Sequence, residues 1–188
     1  WFVALGWRLG WEPLAYFFLR ENLQRLQQEG YVGVMSPGQQ SRMSVAPLTQ
    51  EDARELFGMV SAVEGLAAYW AACRPQEERQ EVVTELRALN RALLDAASES
   101  RRDVHRVFEL DATFHRRVLE AGAGPRLLAL HQSFKPQSER YGRIYSSALI
   151  DQIGTSVAEH DDIIAAIEAG EPDAAEQAMR RNWMNATE

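Results

Sequence analysis

The stretch RDVHRVFELDATFHRRVLEAG, residues 102–122, decides how this chain is read. On a helical period, Val104, Val107, Phe108, Asp111, His115 and Val118 fall in one stripe. The spacing predicts an amphipathic helix over about 102–121, stopped by Gly122. Asp111 and His115 are four residues apart, so they share a face, and that face is the apolar one. A carboxylate buried there costs several kcal/mol unless something pairs with it.

Two further helices interrupt their apolar stripes in the same way. Over about 151–169 the stripe reads Ile153, Val157, His160, Ile164 and Ile167, with His160 as the polar member. From Glu171-Pro172 to the end it reads Ala175, Ala178, Met179, Asn182 and Ala186, with Asn182 as the polar member. An Asp-x-x-x-His pair plus a third His is a sensible set for a divalent metal. Imidazole suits zinc, nickel, copper or iron, and a carboxylate balances charge. Bundles build such sites from facing helices. An ordinary buried Asp–His hydrogen bond, with His160 satisfied elsewhere, is the other reading of these residues.

Outward from these helices, the chain after Pro47 is helical throughout. Thr49 with Asp52 resembles a capping box and opens a helix over about 50–73. Arg74-Pro75 ends it, and a second helix covers about 76–97. Gly124-Pro125 restarts the chain after the third helix, and the fourth runs to about 148 with a break expected near Pro136. Six helices with short connections imply an all-α antiparallel six-helix bundle over 47–188. Before Pro47 the pattern differs. Leu14–Gln28 reads as a helix stopped by Gly30. Tyr31–Met35 and Met43–Ala46 are β-prone runs around Ser36-Pro37-Gly38, a hairpin signal. Helix then hairpin describes the second half of a winged helix-turn-helix, placed at residues 1–46. The fold class expected is therefore mainly α.

Composition sets the outer limits. The 188 residues are 46% hydrophobic and 25% charged, ordinary for a globular protein able to bury a core. A net charge of −7 excludes a globally basic nucleic-acid binder, while leaving room for a local basic patch. The charge is uneven. Residues 1–46 hold Arg8, Arg20, Arg25 and Arg42 against three Glu, and the remainder is strongly acidic. Cys73 is the single cysteine, so no internal disulfide can form, and a reducing, cytoplasmic compartment fits. Residues 1–19 are very apolar, yet Arg8 and Glu12 would each cost roughly 2.5–3.5 kcal/mol at a bilayer centre. Pro13 would break a spanning helix. The segment reads as buried against protein, with no membrane span and no signal peptide.

Other polar residues each carry two readings. His131 falls near the apolar stripe of the fourth helix and either lines a cavity or packs. Arg140 and Arg143, close to Tyr141 and Tyr145, offer forks to a carboxylate ligand or stand as surface arginines. Trp183 is core or pocket wall. His105 shares a solvated face with Glu109 and Arg116. Glu159 lies about 100° around the helix from His160, off the ligand face. No Gly-rich phosphate loop, nucleophile elbow or Glu-x-x-His pair occurs, so nothing looks like an assembled catalytic apparatus.

These segments resemble a known family. Pro47-Leu-Thr-Gln-Glu-Asp-Ala-Arg-Glu-Leu-Phe57, Glu64-Gly-Leu-Ala-Ala68, Asp111-Ala-Thr-Phe-His115, Glu159-His-Asp-Asp-Ile-Ile-Ala-Ala-Ile-Glu-Ala-Gly170 and Ala174-Ala-Glu-Gln-Ala-Met-Arg-Arg181 are similar, in order, to the ligand-binding FCD domain of FadR-type GntR transcription regulators. The resemblance implies a helical bundle that holds a divalent metal, zinc or nickel, in a pocket for small carboxylates. It implies a winged helix-turn-helix that binds operator DNA as a homodimer. A ligand-responsive bacterial regulator, a repressor rather than an enzyme, is the expected function.

Asp111, His115 and His160 match the family's metal ligands. Asn182 stands where the family has a fourth histidine, and its carbonyl oxygen is a weaker ligand than imidazole. Val60 stands where an acid-binding Arg is common. Leu19-Arg-Glu-Asn-Leu-Gln-Arg-Leu-Gln-Gln-Glu-Gly30-Tyr-Val32 resembles the recognition helix. Ala15-Tyr-Phe-Phe18 and Gly38-Gln-Gln-Ser-Arg42 replace the family's arginine-bearing motifs, which leaves Arg20, Arg25 and Arg42 as DNA contacts. Two rivals remain at this point. One is a metal-dependent enzyme with three ligands and an open position. The other is a binding-only bundle whose winged helix has decayed.

Overall fold

Thr49 caps the first helix among the described residues. In the computed structural model, which describes residues 32–34, 43–45, 49–149 and 153–185, with side chains over 49–142 and 153–185, helix α1 spans Gln50–Ala72. The Thr49 hydroxyl accepts the Asp52 N–H at 3.1 Å, the first half of the expected capping box. The second half is relayed. The Tyr141 hydroxyl accepts the Thr49 N–H at 3.2 Å and donates to the Asp52 carboxylate. A side chain 89 residues away in sequence thus completes the cap.

Five more helices follow: α2 Gln76–Ser98, α3 Val104–Gly122, α4 Pro125–Leu149, α5 Ile153–Ala169 and α6 Pro172–Asn185. The α3 helix starts two residues later than its periodicity suggests, because Asp103 stays outside as the cap. Its carboxylate accepts the N–H groups of His105 at 3.0 Å and Arg106 at 3.2 Å. Helix α4 runs through Pro136 without ending, which corrects the expected break. Helix α5 ends at Gly170, whose φ of +70° suits a glycine. The N–H of Glu171 returns to the Ala166 carbonyl and that of Gly170 to Ile167, closing the last turn.

The core forms where five helices turn small or branched faces inward. Ala68, Ala71 and Ala72 of α1 meet Val83 and Leu86 of α2, Phe114 and Val118 of α3, Ile163, Ile164 and Ile167 of α5, and Ala175 and Met179 of α6. A second cluster joins Leu93 and Ala96 to Val107, Ile153 and Val157. Alanines on α1 let α3 approach closely. A methyl group placed at Gly122 would lie 1.8 Å from the Ala67 carbonyl oxygen, so only glycine fits there.

The backbone divides into two units, residues 1–48 and 49–188. In the first, strands β1 (Val32–Val34) and β2 (Met43–Val45) pair antiparallel, Val32 with Val45 and Val34 with Met43. They fall within the two β-prone runs. The expected helix over Leu14–Gln28 and the DNA candidates Arg20, Arg25 and Arg42 lie outside the described residues. Among the described residues, no helix is long and apolar enough to cross a membrane.

Candidate functional site

Asp111 and His115 sit one turn apart on α3 and face His160 on α5. One ligand atom from each lies within 4.8 Å of the others. Two donors about 2.2 Å from a single ion span at most about 4.4 Å, so the cluster is close to the size a metal needs. His160 is fully buried and stacks on Phe114, ring centroids 3.8 Å apart. Its Nδ1 lies 3.1 Å from the Asn90 side-chain oxygen. Among the described residues its Nε2 has no hydrogen-bond partner, and it is 3.6 Å from an Asp111 oxygen. A buried imidazole nitrogen left without a partner, beside a carboxylate, is the environment a cation would complete.

The titration behaviour agrees with this. Burial pulls the His160 imidazole well below its usual range, and the neighbouring His115 adds to the effect, so the ring stays neutral. Burial pushes the Asp111 carboxyl up, the Glu64 charge adds to the rise, and His115 opposes it.

Glu64 of α1 belongs to the site although the interrupted apolar stripes of α3, α5 and α6 do not single it out. Its buried carboxylate faces three N–H-bearing rings from three other helices. Nδ1 of His115 lies 2.8 Å away, Nε2 of His131 2.9 Å away, and the Trp183 indole N–H donates at 2.7 Å. Burial alone would raise its pKa, but His115 and His131 overcome that and lower it to about 2. The effect on His115 is the mirror image. Burial lowers its value, Glu64 and Asp111 more than offset this, and the net shift is upward. The signal for Glu64 was present in the sequence, since it lies four residues from both Val60 and Ala68 on the buried face of α1.

A cavity of about 170 Å³ opens beside these residues. Phe57, Val60, Phe108 and Trp183 supply apolar wall, and Asp111, His115 and His131 supply polar wall. His131 therefore both lines the cavity and holds Glu64. Trp183 is both pocket wall and hydrogen-bond donor, its ring 4.8 Å from His115 and 5.5 Å from Phe57.

Asn182 is on the wall as well, with its amide N–H donating to Glu159 at 2.8 Å. Glu159 itself lines the cavity, where the helical wheel had turned it away. Asn185 reaches it from the next turn of α6 and draws it in. Among the described residues, the lysine and arginine on the wall are Lys135 and Arg116. Arg140 and Tyr141, the expected effector contacts, are absent from this wall; the Tyr141 ring is buried and its hydroxyl serves the start of α1. The Arg143 side chain lies outside the described residues. His105 is exposed, as its solvated face suggested.

An all-helical bundle with a buried carboxylate–imidazole cluster beside a small cavity defines the kind of domain this is. The FCD domain profile matches residues 55–184, and the chain belongs to that family. Two solved structures share the fold. Escherichia coli McbR/YncC superposes with a TM-score of 0.68 at 15% identity, covering 88% of this chain and 79% of its own. A transcriptional regulator (GntR family member) from Pseudomonas syringae pv. tomato str. DC3000 gives 0.58 at 18% identity, covering 90% and 66%. A search of curated protein sequences gives no match.

Proposed function

We propose that this protein is a GntR-type transcription regulator whose FCD bundle senses a small organic acid beside a bound divalent metal. The observation that carries the reading is the partnerless Nε2 of His160, buried against Asp111 and one helix from His115. Asp111, His115 and His160 would hold the ion, with Asn182 as a further oxygen donor from α6. Zinc or nickel suits two imidazoles and a carboxylate. When bound, the ion supplies a positive centre that attracts a carboxylate. Lys135 and Arg116 on the wall add to that attraction.

In this reading the N-terminal unit binds operator DNA through Arg20, Arg25 and Arg42, in a cytoplasmic homodimer acting as a repressor. The effector must favour one dimer arrangement over the other, or no switching follows. The experiment is operator binding by the full-length dimer, measured by fluorescence anisotropy against a library of palindromic duplexes. Binding that weakens steeply with salt, and shifts when zinc and a small dicarboxylate are added, supports the reading. Absence of binding to every duplex overturns it.

A further inference from the structure

The two imidazoles of the metal cluster do not meet the cavity alone, since each has its far nitrogen held by a buried acceptor on a different helix. We infer that Glu64 and Asn90 are positioning residues that set the tautomers of His115 and His160, so that both rings present Nε2 as a free lone pair. The inference rests on the metal-binding reading for its purpose, while the tautomers themselves can be measured without any metal.

The assignment of His160 follows from Asn90. The Asn90 amide nitrogen donates to the Val157 carbonyl at 3.0 Å and to an Asp161 carboxylate oxygen at 2.8 Å. Those acceptors fix which end of the amide is which. The oxygen is left facing Nδ1 of His160 at 3.1 Å and can only accept. Nδ1 must carry the hydrogen, and in a neutral ring Nε2 is then the lone-pair atom. That is the atom found buried without a partner.

The assignment of His115 follows from Glu64, whose ionised carboxylate only accepts. Nδ1 of His115 at 2.8 Å therefore donates, and Nε2 is left for the cluster. The same carboxylate takes the Trp183 N–H and faces Nε2 of His131. An amide at position 64 could not satisfy three donors, because its own NH₂ would oppose at least one of them. A carboxylate behind a ligating imidazole also makes that ring a stronger donor to the ion.

The test uses nitrogen-15 histidine spectra of the full chain and zinc affinity by chelator competition. Spectra are taken without metal along a pH titration and read on its alkaline plateau, where the imidazoles are neutral. Expected are Nδ1–H tautomers for both His115 and His160, a shift toward a tautomer mixture at His115 in Glu64→Leu, which removes its acceptor, and the same at His160 in Asn90→Leu. Zinc affinity should fall 10–100-fold in each variant, the range such supporting residues carry. A dominant Nε2–H tautomer at either ring of the unaltered protein overturns the inference, even if the variants fail to fold. Well-folded variants with unchanged tautomers and zinc affinity overturn it as well. Correct tautomers in a protein that takes up no zinc would leave the positioning intact and sink the metal reading instead.

Discussion

The side-chain oxygen of Asn90 on α2 lies 3.1 Å from Nδ1 of His160 on α5, deep in the bundle where neither group meets solvent. Asn90 also anchors to the Val157 carbonyl and to Asp161, so one amide ties α2 to α5 at three points. Replacing it with leucine removes all three bonds and leaves the His160 Nδ1–H without an acceptor. An unsatisfied buried donor costs about 1–3 kcal/mol. Urea unfolding of the metal-free Asn90→Leu variant should show a loss in that range, with an unchanged m-value.

The Glu64–His115 pair gives stability a pH signature. Glu64 is lowered from its usual 4.5 to about 2, so its contribution is complete above about pH 4.5 and drains as pH falls toward 2. His115 is raised, so its contribution is complete below its usual 6.5 and is lost as pH rises through the raised folded value. The stability difference between the unaltered protein and Glu64→Gln should therefore peak between about pH 4.5 and 6.5 and shrink on both sides. His160, with its lowered value, makes both proteins less stable as pH drops below its usual 6.5 and largely cancels in the difference. Urea titrations across that range check the shape, and a flat difference would contradict it. Glu64→Ala, which strands the rings of His115, His131 and Trp183 without their acceptor, should cost about 3–5 kcal/mol.

Metal should stabilise the folded chain and do so through Asp111, His115 and His160. Zinc at a hundredfold excess over its Kd adds about 2.7 kcal/mol. Differential scanning fluorimetry should show a rise in Tm with zinc that chelator reverses. Asp111→Ala should abolish most of the rise while changing the metal-free Tm little, because its side chain is only partly buried, 31% exposed, on the cavity wall.

Tyr141 and Thr49 share one cap and should not behave independently. Tyr141→Phe removes the hydroxyl that bridges the Thr49 N–H and the Asp52 carboxylate. Thr49→Ala removes the other half. Each single change should cost about 1 kcal/mol, and the double variant should cost less than their sum. A double-mutant cycle in urea measures the coupling, and strict additivity would count against a shared cap.

Helices were legible in the sequence because apolar period and punctuation agree at nearly every boundary. Gly122, Gly170 and the two Pro-initiated helices sit where expected. The hairpin strands fall inside the runs that predicted them. The start of α3 was missed because Asp103 caps through its side chain, which periodicity does not register. The Asp111–His115–His160 cluster was legible because each residue breaks an apolar stripe. Glu64 breaks one too, but an acidic residue among the alanines of α1 looks like an exposed interruption until three donors are seen to converge on it. Asn90 gave less to read. Its helix is polar on most sides, and nothing local marks the one buried amide. Glu159 misled the wheel because its carboxylate reaches across to α6, and a wheel records where a side chain starts rather than where it ends.

Gly122 has no chemistry of its own, yet it guards the chemistry next to it. Its bare backbone rests against the carbonyl of Ala67, one turn from Glu64, and it lies two turns beyond His115 on the same helix. The spacing of α1 and α3 at the cluster is thus set by a hydrogen atom in place of a side chain. Any larger residue at 122 would wedge the two helices apart and stretch the Glu64–His115 contact from a distance. The donor set of this bundle is in that sense held to gauge by its smallest residue.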